Sequence, residues 1–224
     1  MTQKDLETYI VGKWGSPNKT IREISMSGST IPLVNSDKMM YCFDDICKAI
    51  YSNRSLPTSA DGLVFKPTYI QLIEFKSGFK DKITKENFNP EEAKCEYKGD
   101  ACDEYWGLFR KVRKLEKDEL IDSLRLKAIE SYITLENSLF PYCSDFSDKK
   151  LGVRLLIVID AEETDAMEDM LAALAKKKPG KENMLKKVRK AVSRLINQED
   201  ISGRKFYYDD IEVISVQEFQ RRLA

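Results

Sequence analysis

The sequence contains no histidine, and this absence excludes several kinds of catalytic site. Serine and cysteine hydrolases with a histidine base, and metalloproteases of the HExxH type, all require that residue. Glycine-rich phosphate loops of the GxxxxGK[ST] or GxGxxG type are also missing. Any catalysis must therefore depend on carboxylates, lysines, tyrosines, or a metal ion held by oxygen ligands.

The chain is also poor in cysteine and has no long apolar run. Its five cysteines form an odd count without a CxxC pair, which disfavours both a disulfide scaffold and a zinc ribbon. No apolar stretch approaches the ~20 residues of a membrane-spanning helix, and no secretory signal pattern is visible at the N-terminus. We therefore expect a cytoplasmic protein in a reducing compartment, with no membrane partner.

The rest of the composition is that of a globular protein of 224 residues, with 42% hydrophobic and 33% charged residues. This length predicts a single domain over residues 1–224. The formal net charge is zero, so any attraction to nucleic acid must come from a local group of basic residues.

Hydrophobic periodicity predicts an α/β fold, with a central mixed β-sheet flanked by helices. Two β-rich runs, 62–65 and 69–76, are separated by a short connection that contains proline, and together they predict a hairpin. The nearly continuous apolar run LGVRLLIVID, at 151–160, predicts a strand in the sheet interior. A further strand is predicted at 205–216.

Helices are predicted on both faces of this sheet. The segment 37–50 is amphipathic, with its apolar side chains on one side of a helical wheel, and Ser36 is its predicted N-cap. The full set of predicted helical segments covers 3–12, 37–50, 104–139, 165–175, 182–197 and 217–224. The segment 104–139 is long enough for two helices or for one bent helix.

Acidic and basic side chains cluster at one end of the predicted hairpin. Glu74 and Lys76 are two residues apart in an apolar strand, so they share one face. Asp61 precedes the first strand, and antiparallel pairing brings it beside Glu74. Two carboxylates held close together favour a divalent cation between them, and Mg²⁺ prefers oxygen ligands of this kind. With a lysine that stabilises charge on a phosphate, the group suits metal-assisted phosphodiester hydrolysis.

Asp61, a short hairpin and the triplet Glu74, Phe75 and Lys76 resemble the core motif of the PD-(D/E)XK nuclease superfamily, which has the restriction-endonuclease-like fold. The resemblance implies a nuclease that acts on DNA or RNA, with Mg²⁺ or Mn²⁺ as cofactor. Asp61 and Glu74 would bind the metal, the carbonyl group of Phe75 would add a ligand, and Lys76 would position the attacking water. The core would cover about residues 36–160, followed by a C-terminal extension of helices and a strand.

Two positions of the motif are less well defined. Ala60 stands where the superfamily name has a proline, although that proline is often replaced. Many members carry a further metal-binding acid on an upstream helix, and Asp44 or Asp45 would take this place. A solvated helix flank is the alternative explanation for Asp44.

A strongly basic segment lies near the C-terminus. Residues 171–196 contain nine lysines and arginines but a single acid, Glu182, in a chain whose net charge is zero. This concentration predicts a phosphate-facing surface, with a solvated helical face as the alternative. The candidate nucleic-acid contacts are Lys176, Lys177, Lys178, Lys181, Lys186, Lys187, Arg189 and Lys190.

Three functions remain open at this point. The first is a metal-dependent nuclease, and the second is a binding or interaction protein on the same scaffold that has lost activity. The third is an unrelated α/β domain in which Glu74 and Lys76 form an ordinary ion pair at a strand end. The intact set of Asp61, Glu74 and Lys76 favours the first, because a decayed site usually loses one member.

Overall fold

The protein folds around a six-stranded mixed sheet. The structure is a computed structural model, which describes residues 3–17, 19–26, 30–51, 56–78, 100–142, 152–160, 184–196, 198–199 and 205–223. The strands in this part of the chain are Lys19–Thr20 (β1), Met39–Cys42 (β2), Gly62–Lys66 (β3), Tyr69–Lys76 (β4), Gly152–Ile159 (β5), Gln198–Glu199 (β6), Lys205–Phe206 (β7) and Asp210–Ser215 (β8). The main sheet has the order β1-β2-β3-β4-β5-β8, while β6 and β7 form a separate two-stranded ribbon.

Helices alternate with these strands along the chain. The α-helices described are Gln3–Trp14 (α1), Ile21–Ile24 (α2), Phe43–Ile50 (α3), Asp100–Thr134 (α4), Met184–Val192 (α5) and Val216–Leu223 (α6). Helix α4 continues through a π-helical turn, Leu135–Leu139, and a 3₁₀ turn, Phe140–Tyr142. A mixed sheet flanked by helices confirms the predicted fold class.

The first four strands of the main sheet pair in antiparallel fashion, and the last two join in parallel. Strands β3 and β4 form the predicted hairpin, with Gly62 opposite Ile73 and Lys66 opposite Tyr69. Strand β5 lies between β4 and β8, parallel to both, so α4 belongs to the crossover from β4 to β5. This interior position confirms the strand predicted at 151–160, and it explains why that run is apolar throughout.

Each face of the sheet has its own apolar core. The first core takes buried side chains from α1, α3, α4 and α5, and the second takes them from α2 and α6. Successive residues of β4 alternate between the two, so Leu72 belongs to the first core while Ile73 and Phe75 belong to the second. Glu74 and Lys76 therefore lie on the face that α4 covers.

The helix predicted over 37–50 is wrong in its first part, where β2 forms instead. Residues Met39–Cys42 pair with β1 on one side and β3 on the other, and the helix begins only at Phe43. Ser36 is therefore not its N-cap. A short apolar run fits a strand as well as a helix, and here pairing on both sides satisfies the backbone groups. Met40 packs into the second core and Phe43 into the first, so the predicted single stripe is divided between two faces.

The other predicted elements differ from the structure mainly at their boundaries. Helices α1, α4, α5 and α6 confirm the helices predicted at their positions, and α4 begins at Asp100 rather than at 104. The strand predicted at 205–216 is interrupted, because Tyr207 has a φ of 64° and turns the chain between β7 and β8. The helix predicted at 165–175 lies outside the described residues. Within the described ranges, no helix combines the length and the apolarity needed to cross a membrane.

Candidate functional site

Several strand ends meet at one edge of the sheet. The end of β2 pairs with the start of β3 at Cys42 and Gly62, and the end of β4 pairs with the end of β5 at Lys76 and Ile159. Strand β8 also ends at this edge, because Ser215 pairs with Ile159. Residues that follow β2, precede β3 or end β4 are therefore neighbours, although they are distant in sequence.

At this edge, Asp61 and Glu74 converge on Lys127, a residue of α4. The Nζ atom of Lys127 lies 2.8 and 3.0 Å from the two carboxylate oxygens of Glu74 and 3.3 Å from Oδ1 of Asp61. The other oxygen of Asp61, Oδ2, accepts a hydrogen bond of 2.7 Å from the backbone N–H of Phe75. Asp61 is 5% exposed and Glu74 is 2% exposed. Three oxygens of these two buried carboxylates therefore surround the ammonium of Lys127. We call Asp61, Glu74 and Lys127 the acid–lysine cluster.

Burial raises the pKa values of both carboxyl groups in the acid–lysine cluster. It raises the pKa of Glu74 to about 8, and the nearby charge of Asp61 adds to this effect, while Lys127 opposes it. Burial also raises the pKa of Asp61, against the influence of Lys127 and of the Phe75 N–H. For Lys127, burial favours the neutral amine, but the two carboxylates outweigh burial and raise the pKa of the ammonium. Two acids and one cation leave an excess of negative charge, which a proton or a second cation can neutralise.

One side of α4 also holds the loop that leads into β3. Glu130 accepts hydrogen bonds from the backbone N–H and the hydroxyl of Thr58, at 2.5 and 2.6 Å. Ser131 accepts one of 2.7 Å from the backbone N–H of Ala60. Glu130 and Ser131 follow Lys127 by three and four residues, so all three lie on one side of the helix. The same side of α4 therefore positions the loop before β3 and neutralises the carboxylates beside it.

Ser131→Ala is expected to lower the free energy of unfolding by about 1–3 kcal/mol, because the buried N–H of Ala60 would lose its acceptor. Urea denaturation measures this loss. Ser123→Ala is a matched control on the same helix, since among the described residues the Ser123 hydroxyl donates to the carbonyl of Leu120 alone, at 2.8 Å. Equal losses in the two variants would show that Ser131 does not anchor the loop.

Asp44 and Asp45 lie in the first turn of α3, next to the acid–lysine cluster, where each is paired with a lysine. Asp44 accepts a hydrogen bond of 2.9 Å from Ser59 and pairs with Lys48 at 2.5 Å. Burial alone would raise the pKa of Asp44, but these two contacts outweigh it and hold the pKa below its usual value. Asp45 pairs with Lys19 at 2.5 Å. The charge of Asp44 also contributes to the raised pKa of Asp61.

A cleft of about 180 Å³ opens beside the acid–lysine cluster. Asp61 forms part of its wall, whereas Glu74 does not, so a ligand in the cleft would meet Asp61 before Glu74. The other residues of the wall are Lys19, Glu23, Ile24, Cys42, Asp44, Asp45 and Lys48. A larger groove, of about 340 Å³, lies on the opposite face of the sheet, and neither carboxylate of the cluster belongs to it. The smaller cleft is therefore the one that bears on the chemistry of the cluster.

Lys76 lies on the same face of β4 as Glu74 and one step nearer to the sheet edge, as predicted. Its charge lowers the pKa of Glu74, but among the described residues it forms no ion pair. The side chain of Phe75 points to the second core, where its ring packs against Phe219 with centroids 5.4 Å apart. Only the backbone of Phe75 is therefore directed toward the site. The lysine in contact with both carboxylates is Lys127, not Lys76.

Sequence reasoning missed Lys127 because 66 residues separate it from Asp61 and 53 separate it from Glu74. A weak signal does exist. Lys127 directly precedes Ala128 on a helix whose buried stripe includes Leu124 and Ala128. A charged side chain on the border of a buried stripe usually has a partner within reach, because lysine is rarely buried unless paired.

The described part of the basic segment packs on the same face of the sheet as Glu74, because α5 contributes to the first core. Arg189 has a structural role there, since its guanidinium donates to the backbone carbonyl of Val213 at 3.1 and 2.6 Å. Three further candidates on α5 are Lys186, Lys187 and Lys190. The candidates outside the described residues are Lys176, Lys177, Lys178 and Lys181.

The acid–lysine cluster has the donor atoms of a site for a hard cation. Within the described ranges, no three acidic or cysteine side chains are close enough to hold a metal ion together. Three oxygens of Asp61 and Glu74 nevertheless face one cation, at 2.8 to 3.3 Å from Lys127 Nζ. Mg²⁺ requires oxygen ligands at about 2.0–2.1 Å. The oxygens of Asp61 and Glu74 are therefore spaced for an ammonium, and holding a divalent ion would require Lys127 to leave and the two carboxylates to move closer together.

No protein-family model, curated protein or solved structure matches this chain. Its function must therefore be inferred from the site itself. The site offers two buried carboxylates, two lysines and a neighbouring acidic cleft at one edge of a sheet.

Proposed function

We propose that the protein is a metal-dependent nuclease that hydrolyses phosphodiester bonds of DNA or RNA. The observation that carries the proposal is the convergence of the buried carboxylates of Asp61 and Glu74 on one ammonium, that of Lys127, at the sheet edge, with Lys76 on the same face. The resemblance of these residues to the PD-(D/E)XK motif supports it, and the hairpin, crossover helix and parallel strand follow in the order expected for that superfamily. One departure is α3, which stands between β2 and the hairpin.

Each residue of the site has a role in this proposal. Asp61 and Glu74 would hold Mg²⁺ or Mn²⁺, together with the carbonyl group of Phe75. Such an ion, when bound, supplies Lewis-acid charge and an activated water. The Phe75 N–H holds one oxygen of Asp61 and leaves the other directed toward the cluster. Lys76 donates a hydrogen bond to the attacking water or to a phosphate oxygen, and Asp44 adds negative charge that attracts a cation to the cleft.

Lys127 is the counter-ion of the cluster when no metal is bound. Taking a carboxylate out of water costs several kcal/mol, and a buried ammonium offsets part of this cost. The Lys127 side chain is 25% exposed, so its ammonium can swing outward along a flexible stem when a divalent ion takes its place. Metal binding and the Lys127 ion pairs are therefore mutually exclusive.

The same ion pairs favour a second function, that of a nucleic-acid-binding or protein-interaction module without catalysis. In this case Asp61, Glu74 and Lys127 would form a structural ion triad that fixes α4 to the hairpin. The two functions differ in one property that can be measured directly, which is the affinity of the protein for a divalent cation.

A cleavage assay tests the proposed function. The protein is incubated with single- and double-stranded DNA and RNA in the presence of Mg²⁺, Mn²⁺ or EDTA, and Mn²⁺ binding is measured in parallel by calorimetry. We expect cleavage of at least one substrate with a metal ion and none with EDTA. Failure to cleave any substrate, together with no Mn²⁺ binding, would contradict the nuclease and support the binding module.

Replacing Lys186, Lys187 and Lys190 together with Ala is expected to weaken nucleic-acid binding and to make it less sensitive to salt. Each lost phosphate contact lowers the slope of log K against log salt by about 0.7–0.9. Fluorescence anisotropy of a labelled oligonucleotide over a salt series measures that slope. Lys66→Ala, on the sheet face that α5 does not cover, is the control. An unchanged slope in the triple variant would leave α5 as a solvated helical face.

A further inference from the structure

The groove of about 340 Å³ on the sheet face opposite to the acid–lysine cluster has an apolar floor. The side chains that form this floor belong to the second core or pack against it, and they are Met40, Val64, Ile73, Leu156 and Phe219. Met39, which is 51% exposed, also lines the groove. Small-molecule sites are concave and mostly apolar, with volumes of about 300–1,000 Å³. The groove therefore has the size and the floor of a site for a small ligand.

Arg154 of β5 lines the same groove, and Tyr69 of β4 fixes the position of its guanidinium. The central carbon of the guanidinium, Cζ, lies 4.0 Å from the centre of the Tyr69 ring. Gly152 pairs with Tyr69 and has no side chain that could compete for the ring. Packing on a ring occupies one flat side of a guanidinium, whereas its N–H groups point outward from its edge. Arg154 therefore presents a fork of donors that is already held in place.

The charges around the groove favour an anionic ligand. Four basic and two acidic side chains line it, which leaves an excess of two positive charges, and they are Lys38, Lys66, Arg154, Arg222, Asp210 and Glu212. Arg222 and Glu212 satisfy each other, because Arg222 donates to the two Glu212 oxygens at 2.7 and 2.6 Å. Among the described residues, Arg154 forms no ion pair. The guanidinium of Arg154 is therefore the one in the lining that lacks an acidic partner within the described residues.

The neighbours of Arg154 in the sheet favour a carboxylate as the anionic group. A guanidinium binds a carboxylate through two parallel hydrogen bonds. Gln71, which lies opposite Arg154 on β4, offers an amide N–H beside the same point. Asp210 lies opposite Arg154 on the other side, on β8, so a group with two negative charges would be repelled there. A single negative charge avoids most of this repulsion.

The apolar floor begins next to this polar point. Ile73 and Leu156 follow Gln71 and Arg154 by two residues on the same two strands, so they lie on the same face of the sheet. A ligand that places a carboxylate at Arg154 would therefore set the rest of its body on Ile73 and Leu156.

We propose that this groove binds a small molecule with an apolar or aromatic body and one carboxylate group. Arg154 pairs with the carboxylate, and Ile73 and Leu156 contact the body. This inference does not depend on nuclease activity, because neither carboxylate of the acid–lysine cluster lines the groove.

Ligand-observed NMR titrations in EDTA test the site with two matched pairs of probes. These are 3-phenylpropionate with 3-phenylpropanol, and hexanoate with hexanol, so that each pair shares a body and differs in charge. Ligands of about ten non-hydrogen atoms bind at about millimolar concentration. We therefore expect at least one carboxylate to bind in this range, and at least about 10-fold more tightly than its alcohol. No binding of either carboxylate up to about 10 mM, or equal binding of acid and alcohol, would overturn the proposal. Tighter binding of phenyl phosphate than of 3-phenylpropionate would overturn the choice of a carboxylate.

Arg154→Met locates the binding site of the probes. The variant keeps an unbranched apolar side chain but removes the guanidinium, so it should weaken carboxylate binding at least about 10-fold and leave binding of the matched alcohol unchanged. Arg221→Met is the matched control, because the Arg221 side chain is 65% exposed on the neighbouring helix α6 and does not line the groove. Thermal melts show whether each variant is folded. Unchanged carboxylate binding in Arg154→Met, or an equal loss in Arg221→Met, would overturn the assignment of the groove.

Discussion

Lys76→Ala is expected to reduce metal-dependent cleavage by at least about 100-fold while leaving the fold intact. Lys76 provides an ammonium at the sheet edge, on the same face of β4 as Glu74, and loss of one donor to a developing negative charge costs about 10²–10³ in kcat. The substitution should change the free energy of unfolding by less than about 0.5 kcal/mol, because Lys76 forms no ion pair among the described residues. Initial cleavage rates in Mg²⁺ and Mn²⁺, with urea unfolding in parallel, measure both quantities.

Lys66→Ala is the matched control for this experiment. Lys66 also ends a strand of the hairpin, but it lies at the opposite edge of the sheet and on the opposite face. Glu74→Gln completes the set, because it keeps the shape of the side chain and removes its charge, so it should abolish Mn²⁺ binding as well as cleavage. Cleavage that persists in Lys76→Ala, or that falls equally in Lys66→Ala, would remove Lys76 from the catalytic group.

The hairpin and its register are predictable from sequence because their signals are local. Strand β4 alternates between two cores, Pro67 lies in the turn, and the connection between the strands is short. These features are sufficient to place Asp61 beside Glu74, which the hydrogen bond of 2.7 Å from the Phe75 N–H to Asp61 confirms. The backbone arrangement of the candidate site therefore follows from about sixteen consecutive residues.

Strand β2 is not predictable in this way, because the choice between helix and strand depends on its neighbours. The run Met39–Cys42 is apolar throughout, so it matches the residue spacing of a buried strand as well as that of a helix. What selects the strand is pairing with β3, where Gly62 leaves room for Met40: a Cβ atom at Gly62 would lie 2.5 Å from the Met40 sulfur. This close approach joins residues that are far apart in sequence, so no local pattern contains it.

The contact between Lys127 and the carboxylates is unpredictable for the same reason. The sequence pattern shows that Asp61 and Glu74 lie close together, so it indicates that a cation neutralises them. It does not show whether this cation is a metal ion or a basic side chain. The crossover helix decides this, because the packing of α4 on the first core brings Lys127 to the sheet edge. The sequence therefore predicts the two acids and Lys76 of the candidate site, but it does not predict Lys127, which neutralises the acids.

Lys127→Met is expected to destabilise the metal-free protein by about 3 kcal/mol at pH 8, and by less at lower pH. Methionine keeps most of the length of the side chain but removes the only cation in contact with Asp61 and Glu74 among the described residues. Breaking a buried ion pair from one side costs about 3–5 kcal/mol when the remaining charge stays uncompensated. Here a proton bound to one of the two carboxylates can compensate the remaining charge, and this proton is released as the pH rises.

The sign of this pH dependence follows from the carboxyl groups. Burial raises the pKa of Glu74 from 4.5 to about 8, so between these values the folded state holds a proton that the unfolded state has released. Stability from this proton is therefore present at low pH and is lost as the pH rises through about 8. Lys127 lowers the pKa values of Asp61 and Glu74. Without it both values move higher, so the loss of stability becomes steeper and continues to higher pH.

Urea unfolding of wild type and Lys127→Met at about pH 5 and about pH 8 measures the effect. Lys48→Met is the matched control, because it breaks the solvent-exposed pair with Asp44 and should cost less than about 1 kcal/mol at either pH. Added Mn²⁺ should stabilise Lys127→Met more than wild type, since the ion no longer competes with the ammonium for the same oxygens. A loss in Lys127→Met that is independent of pH would contradict the raised pKa of Glu74. A variant that Mn²⁺ does not stabilise would instead identify the acid–lysine cluster as a purely structural ion triad.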